Sequence, residues 1–117
     1  MNPTELRKSL ENGVIAFPVT PFKDDLSLDL EGLRSNLERM VQHDFRAIVA
    51  AGGTGEMYSL SLDEYRQVVE LTVEVAGKHS TIIAGSGFGY AQAVEMTRIA
   101  TQSGAHGVLA LPPYYPN

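Results

Sequence analysis

The chain has 117 residues, 44% of them hydrophobic, and a formal net charge of −5 from 9 basic and 14 acidic side chains. That is enough apolar material for one packed domain. With no cysteine, disulfides, thiolate chemistry and cysteine-ligated zinc are excluded, and the acidic balance argues against nucleic acid or an anionic membrane as a partner. No apolar run is long enough to span a bilayer, and residues 1–8 are too polar for a signal peptide, so a soluble cytoplasmic protein is expected.

Thr4 is a candidate cap for a short helix over residues 4–11, with Leu6 and Leu10 on one face and Gly13 as its stop. The apolar run over residues 14–19 predicts a first strand. Pro18 cannot donate to a strand ladder and fits only near the strand's end. A polar loop at Lys23, Asp24 and Asp25 leads into a helix over residues 29–44. There Leu30, Leu33, Leu37, Met40 and Val41 form the apolar stripe, and Gly32 is a weak point costing roughly 1 kcal/mol against alanine. The uncharged run Ala47-Ile48-Val49-Ala50-Ala51 predicts a buried parallel strand, closed by the glycine-rich turn Gly52-Gly53-Thr54-Gly55-Glu56. Ser61 and Glu64 have the spacing of a capping box. They open a helix with Tyr65, Val68, Val69, Thr72 and Val75 on its packed side and Gly77 at its end. A third strand is predicted over residues 81–84, with residues 85–89 as its loop. A helix follows over residues 90–103, with Ala93, Val94, Met96 and Ala100 as packing candidates. Residues 107–111 give a fourth strand, followed by the loop Pro112-Pro113-Tyr114-Tyr115-Pro116-Asn117.

Strands alternating with helices imply a parallel sheet with right-handed crossovers. Two architectures fit four such strands. One is a small open sheet of the flavodoxin type; the other is half of a closed (β/α)8 barrel, which needs about 250 residues.

In either case the groups that follow each strand share one rim, where ligands bind in α/β folds. Those groups are Thr20, the Gly52–Glu56 turn, Ser86, Tyr114 and Tyr115. Turn N–H groups suit a carboxylate, and a phenol can relay a proton or hydrogen-bond an oxyanion. Each group also has a plain structural role open to it: Thr54 as a turn cap, Glu56 as an acceptor for loop N–H groups, Ser86 as a turn residue, the tyrosines as interface aromatics. Gly85-x-Gly87-x-Gly89 is short of the dinucleotide fingerprint. His43, His79 and His106 fall near helix ends or strand entrances, on the opposite rim, without metal-ligand spacing. Lys8, Lys23 and Lys78 lie in loops or at helix ends, not in the buried setting that Schiff-base chemistry requires.

Four motifs in order carry a resemblance that runs from Gly13 to Asn117. They are Val19-Thr20-Pro21-Phe22; Gly52-Gly53-Thr54-Gly55-Glu56 with Ser59-Leu60 and Glu64; Ile83-Ala84-Gly85; and Pro113-Tyr114-Tyr115. On them the chain resembles the dihydrodipicolinate synthase / N-acetylneuraminate lyase superfamily, and within it the 5-dehydro-4-deoxyglucarate dehydratase branch. The resemblance implies a parallel (β/α)8 TIM barrel of which residues 1–117 form the N-terminal half. It implies class I lyase chemistry, in which a lysine on a later strand forms a Schiff base with pyruvate or a related 2-keto acid, without metal or organic cofactor. It implies that Gly53 and Thr54 bind the substrate carboxylate, and that Tyr115 reaches across a tight dimer, usually paired into a homotetramer, to join the neighbour's proton relay together with Thr54. Two positions depart from the pattern. Gly53 stands where synthase-type members carry a threonine, removing a relay hydroxyl, and Tyr115 is present where dehydratase-type members tend to lack it. Later strands would carry the Schiff-base lysine, so the 117 residues alone are expected to be inactive. A non-catalytic α/β module that holds an anion in the same turn is the alternative.

Overall fold

The computed structural model describes residues 1–113. Four strands, β1 (Val14–Ala16), β2 (Phe45–Ala50), β3 (Thr81–Ser86) and β4 (Gly107–Ala110), pair in parallel and in sequence order. Helix α1 (Pro3–Ser9) precedes them, and α2 (Leu30–Met40), α3 (Leu62–Ala76) and α4 (Tyr90–Gln102) make the crossovers. Successive side chains of a strand point to opposite faces, and the two faces are covered differently. Ile48, Ala50, Ile82 and Ala84 share one core with Leu33 and Leu37 of α2, Val68 and Val69 of α3, and Met96, Ile99 and Ala100 of α4. Ala47, Val49 and Ile83 face the other way and are met by Leu6 and Leu10 at α1. Toward its edges the sheet exposes Ile15 and Leu109, and Phe17 is exposed just past the end of β1.

This arrangement chooses between the two architectures. A doubly wound open sheet reverses its strand order and divides its helices between two faces. Here the order is β1-β2-β3-β4 and all three crossover helices pack on one face. That is the winding of a (β/α)8 barrel, with helices outside and an apolar concave face inside.

Local chemistry explains the element ends. Asn2, not Thr4, caps α1: its side chain accepts from the Glu5 N–H at 2.9 Å and Glu5 returns the bond at 2.8 Å. Pro3 then takes the first helical position, where its missing N–H costs nothing. β1 stops at Ala16, shorter than the run over 14–19, so Pro18 stands clear of the ladder. Asp29 caps α2 through the Gly32 N–H at 2.9 Å. A Cβ on Gly32 would come within 2.5 Å of the Asp29 carboxylate, so this glycine makes room for the cap. The Ser61–Glu64 capping box forms as expected at the start of α3. β3 extends through Gly85 and Ser86, two residues past the predicted end. Val94 is exposed, because the buried stripe of α4 runs through Met96, Ile99 and Ala100. Val94 lies two residues, about 200°, round the helix from Met96.

Candidate functional site

The loops leaving the carboxyl ends of the strands touch one another. The turn after β2 begins at Ala51, which takes φ +47°, and ends at Glu56, with φ +54°. For L-residues other than glycine such left-handed conformations are uncommon and cost roughly 1–2 kcal/mol each. Within the turn the Glu56 N–H donates to the Gly53 carbonyl at 3.0 Å, and the Met57 N–H donates to the Gly52 carbonyl at 3.2 Å. A short 3₁₀ turn, Met57–Ser59, follows and places Met57 in the core. Ala51, Gly52, Gly55 and Met57 are buried, while Gly53, Thr54 and Glu56 are exposed. The N–H groups of Gly53 and Thr54 and the Thr54 hydroxyl donate to no group among the described residues. The turn therefore presents free donors, held by a buried base, at the carboxyl end of a central strand.

Neighbouring loops fix that base. The Thr20 hydroxyl, buried after β1, donates to the Gly55 carbonyl at 2.7 Å. The Tyr65 hydroxyl, from α3, donates to the Gly85 carbonyl at 2.6 Å. A Cβ on Gly85 would overlap the Ala51 carbonyl oxygen outright and lie 2.9 Å from the Met57 sulfur. Gly87 is as closely packed, with the Met57 methyl at 2.8 Å and the Leu111 carbonyl at 3.1 Å from where its Cβ would stand. These are glycines for close approach. Burial pushes the Tyr65 phenol above its ordinary value of 10, so it stays a neutral donor.

The predicted site residues divide. Thr54 and Gly53 stand exposed in the turn. Tyr115, with Tyr114, lies outside the described residues. Ser86 is not a loop residue on the rim: it ends β3, is buried, and its hydroxyl lies 3.0 Å from both the Ala93 carbonyl and the Thr97 hydroxyl of α4. Glu56 does not serve loop N–H groups; its carboxylate has no hydrogen-bond partner among the described residues and is exposed. His106 has a structural role, its Nδ1 accepting from the Ile82 N–H at 2.9 Å. Among the described residues no group of three or more histidines and carboxylates could hold a metal ion, and no helix is long and apolar enough to cross a membrane. Sequence reading missed the hydroxyl roles of Tyr65 and of Thr20. The available signal was that buried hydroxyls on tyrosine require a partner.

A barrel-type sheet with a glycine-threonine turn at its strand ends fixes the fold class, and comparison supplies the family. Residues 10–117 match the dihydrodipicolinate synthetase family, and the chain belongs to it. It is 47% identical over 109 residues to a probable 5-dehydro-4-deoxyglucarate dehydratase 2 of Streptomyces avermitilis, which covers 93% of the chain and 33% of that protein. It is 46% identical over 114 residues to a probable 5-dehydro-4-deoxyglucarate dehydratase of Rhizobium rhizogenes, covering 97% and 37%. Among solved structures, dihydrodipicolinate synthase from Bacillus clausii superposes with a TM-score of 0.86 at 35% identity, over 94% of this chain and 38% of that one. The chloride-inhibited synthase of Acinetobacter baumannii, complexed with pyruvate, gives a TM-score of 0.83 at 36% identity, over 88% and 36%. The chain thus spans 33–38% of the length of these relatives.

Proposed function

We propose that residues 1–117 are the N-terminal half of a TIM-barrel lyase domain that forms a Schiff base with pyruvate or a related 2-keto acid. The observation that carries this is the Gly52–Glu56 turn: free donors on Gly53 and Thr54, on a buried and strained base, at the strand end of a family whose Acinetobacter baumannii member is seen with pyruvate. Gly53 and Thr54 take the substrate carboxylate through N–H groups and hydroxyl, a geometry suited to an anion. The carbonyl carbon is then presented to a lysine amine. That amine adds to it and water leaves, giving an imine that withdraws electrons from the neighbouring carbon.

None of the chain's three lysines sits on a strand. Lys8, Lys23 and Lys78 are all exposed, so the nucleophile comes from outside these residues. Thr54 and Tyr115 are assigned to the proton relay, Tyr115 crossing a tight dimer that pairs into a tetramer in the cytoplasm. The names of the Streptomyces avermitilis and Rhizobium rhizogenes relatives favour 5-dehydro-4-deoxyglucarate dehydratase as the particular activity.

Borohydride reduction tests the reading. The complete protein carrying this chain, incubated with pyruvate or 5-dehydro-4-deoxyglucarate, should gain one reduced adduct per chain by mass spectrometry. The 117-residue polypeptide should gain none. A complete protein that binds the keto acid without a trapped adduct would be the non-catalytic anion module instead.

A further inference from the structure

We infer that Thr20 and Tyr65, neither of which reaches the mouth, are positioning residues that set the donor geometry of the Gly53–Thr54 turn from its two ends. The inference rests on the reading of that turn as the carboxylate site. At the far end, the Thr20 hydroxyl donates to the Gly55 carbonyl at 2.7 Å, joining the segment after β1 to the turn after β2. Both partners are buried, so water does not replace the bond when it is lost. At the near end, Ala51 holds φ +47°, a conformation that persists only where its surroundings over-determine it. Those surroundings are visible. The Ala51 carbonyl presses on the bare Cα of Gly85, where a Cβ would overlap it, and the Gly85 carbonyl on the next peptide edge is gripped by the Tyr65 hydroxyl at 2.6 Å. Between the two clamps the only internal ties among the described residues are the bonds from Glu56 to Gly53 and from Met57 to Gly52. Gly53 itself has open space around its Cα, with nothing within 4 Å of a Cβ among the described residues. The two free N–H groups are therefore aimed by the ends of the turn and not by contacts at its tip. A donor pair fixed before the ligand arrives binds without an ordering cost.

The test uses the complete protein and three variants: Thr20→Val, which keeps the shape and removes the donor; Thr20→Ser, which restores it; and Tyr65→Phe. Thr20→Val should lower kcat/KM for the 2-keto acid about tenfold, mainly through a higher KM, as expected when binding shared by ground and transition states is lost. Thr20→Ser should return KM to within about twofold of wild type, and Tyr65→Phe should shift it in the same direction as Thr20→Val. An unchanged KM in Thr20→Val, or a loss that Thr20→Ser does not rescue, overturns the inference. A second readout needs no substrate. Amide exchange at Glu56 and Met57 should quicken about tenfold in Thr20→Val while the amides of α3 and β3 keep their rates. No change, or equal quickening everywhere, overturns the inference. If wild type traps no keto acid at all, the proposed function fails by itself, and the exchange data still decide the clamp.

Discussion

Gly85→Ala is the sharpest perturbation of the rim. The added Cβ would overlap the Ala51 carbonyl oxygen and come within 2.9 Å of the Met57 sulfur and 3.0 Å of the Ala51 carbonyl carbon. Overpacking against side chains that can move costs typically 1–3 kcal/mol. Here the main obstacle is backbone, fixed by the β2–β3 pairing through Ala50 and Ala84, so the cost belongs at or above about 3 kcal/mol. Against a total stability of 5–15 kcal/mol that is a large fraction. Gly53→Ala is the control. A Cβ there meets nothing within 4 Å among the described residues, and its cost should stay within about 0.5 kcal/mol. Urea denaturation of the two variants beside wild type should separate them by about 2.5 kcal/mol or more at unchanged slope. Equal midpoints for Gly85→Ala and Gly53→Ala would refute the claim that Ala51 is held against the bare Cα of Gly85.

Leu37→Ala empties a fully buried position between α2 and the sheet and should lower stability by about 2–5 kcal/mol in the same assay. Ser61→Ala removes one half of the α3 capping box and should cost about 1 kcal/mol, with Ser61→Asp retaining most of it. Tyr65 gives a pH dependence. Burial raises its phenol above the ordinary value of 10, so the folded chain holds that proton more tightly than the unfolded one. The stability this contributes is complete below about pH 10 and declines as pH rises toward the folded value. Denaturation between pH 9 and 11.5 should show a decline in wild type that Tyr65→Phe flattens; parallel profiles would contradict the burial argument.

The sequence made the alternation of strands and helices legible because buried parallel strands are uncharged runs and their helices carry period-3.6 stripes; both signals are local. The sidedness of the helices was not legible. It depends on which face each crossover takes, and this decided between open sheet and barrel. The turn at Gly53 and Thr54 was visible from its glycines. Its buried base was not, because Thr20 and Gly55 are 35 residues apart and a left-handed alanine at 51 has no composition signal. Ser86 was misplaced for a related reason: glycines on either side suggested a loop, although Gly85 is a close-approach residue inside β3. The α1 cap was readable in retrospect from Asn2, Pro3 and Glu5, where proline at the first helical position moves the cap one residue before it.

The role proposed for Gly53 and Thr54 is to hold the carboxylate of a 2-keto acid. A crystal structure of the complete protein with pyruvate bound tests it most directly. Carboxylate oxygens are expected within about 3 Å of the Gly53 or Thr54 N–H or the Thr54 hydroxyl, at the carboxyl end of β2. Pyruvate seated at the amino ends of the strands, or at the carboxyl ends with those donors unused, would contradict it.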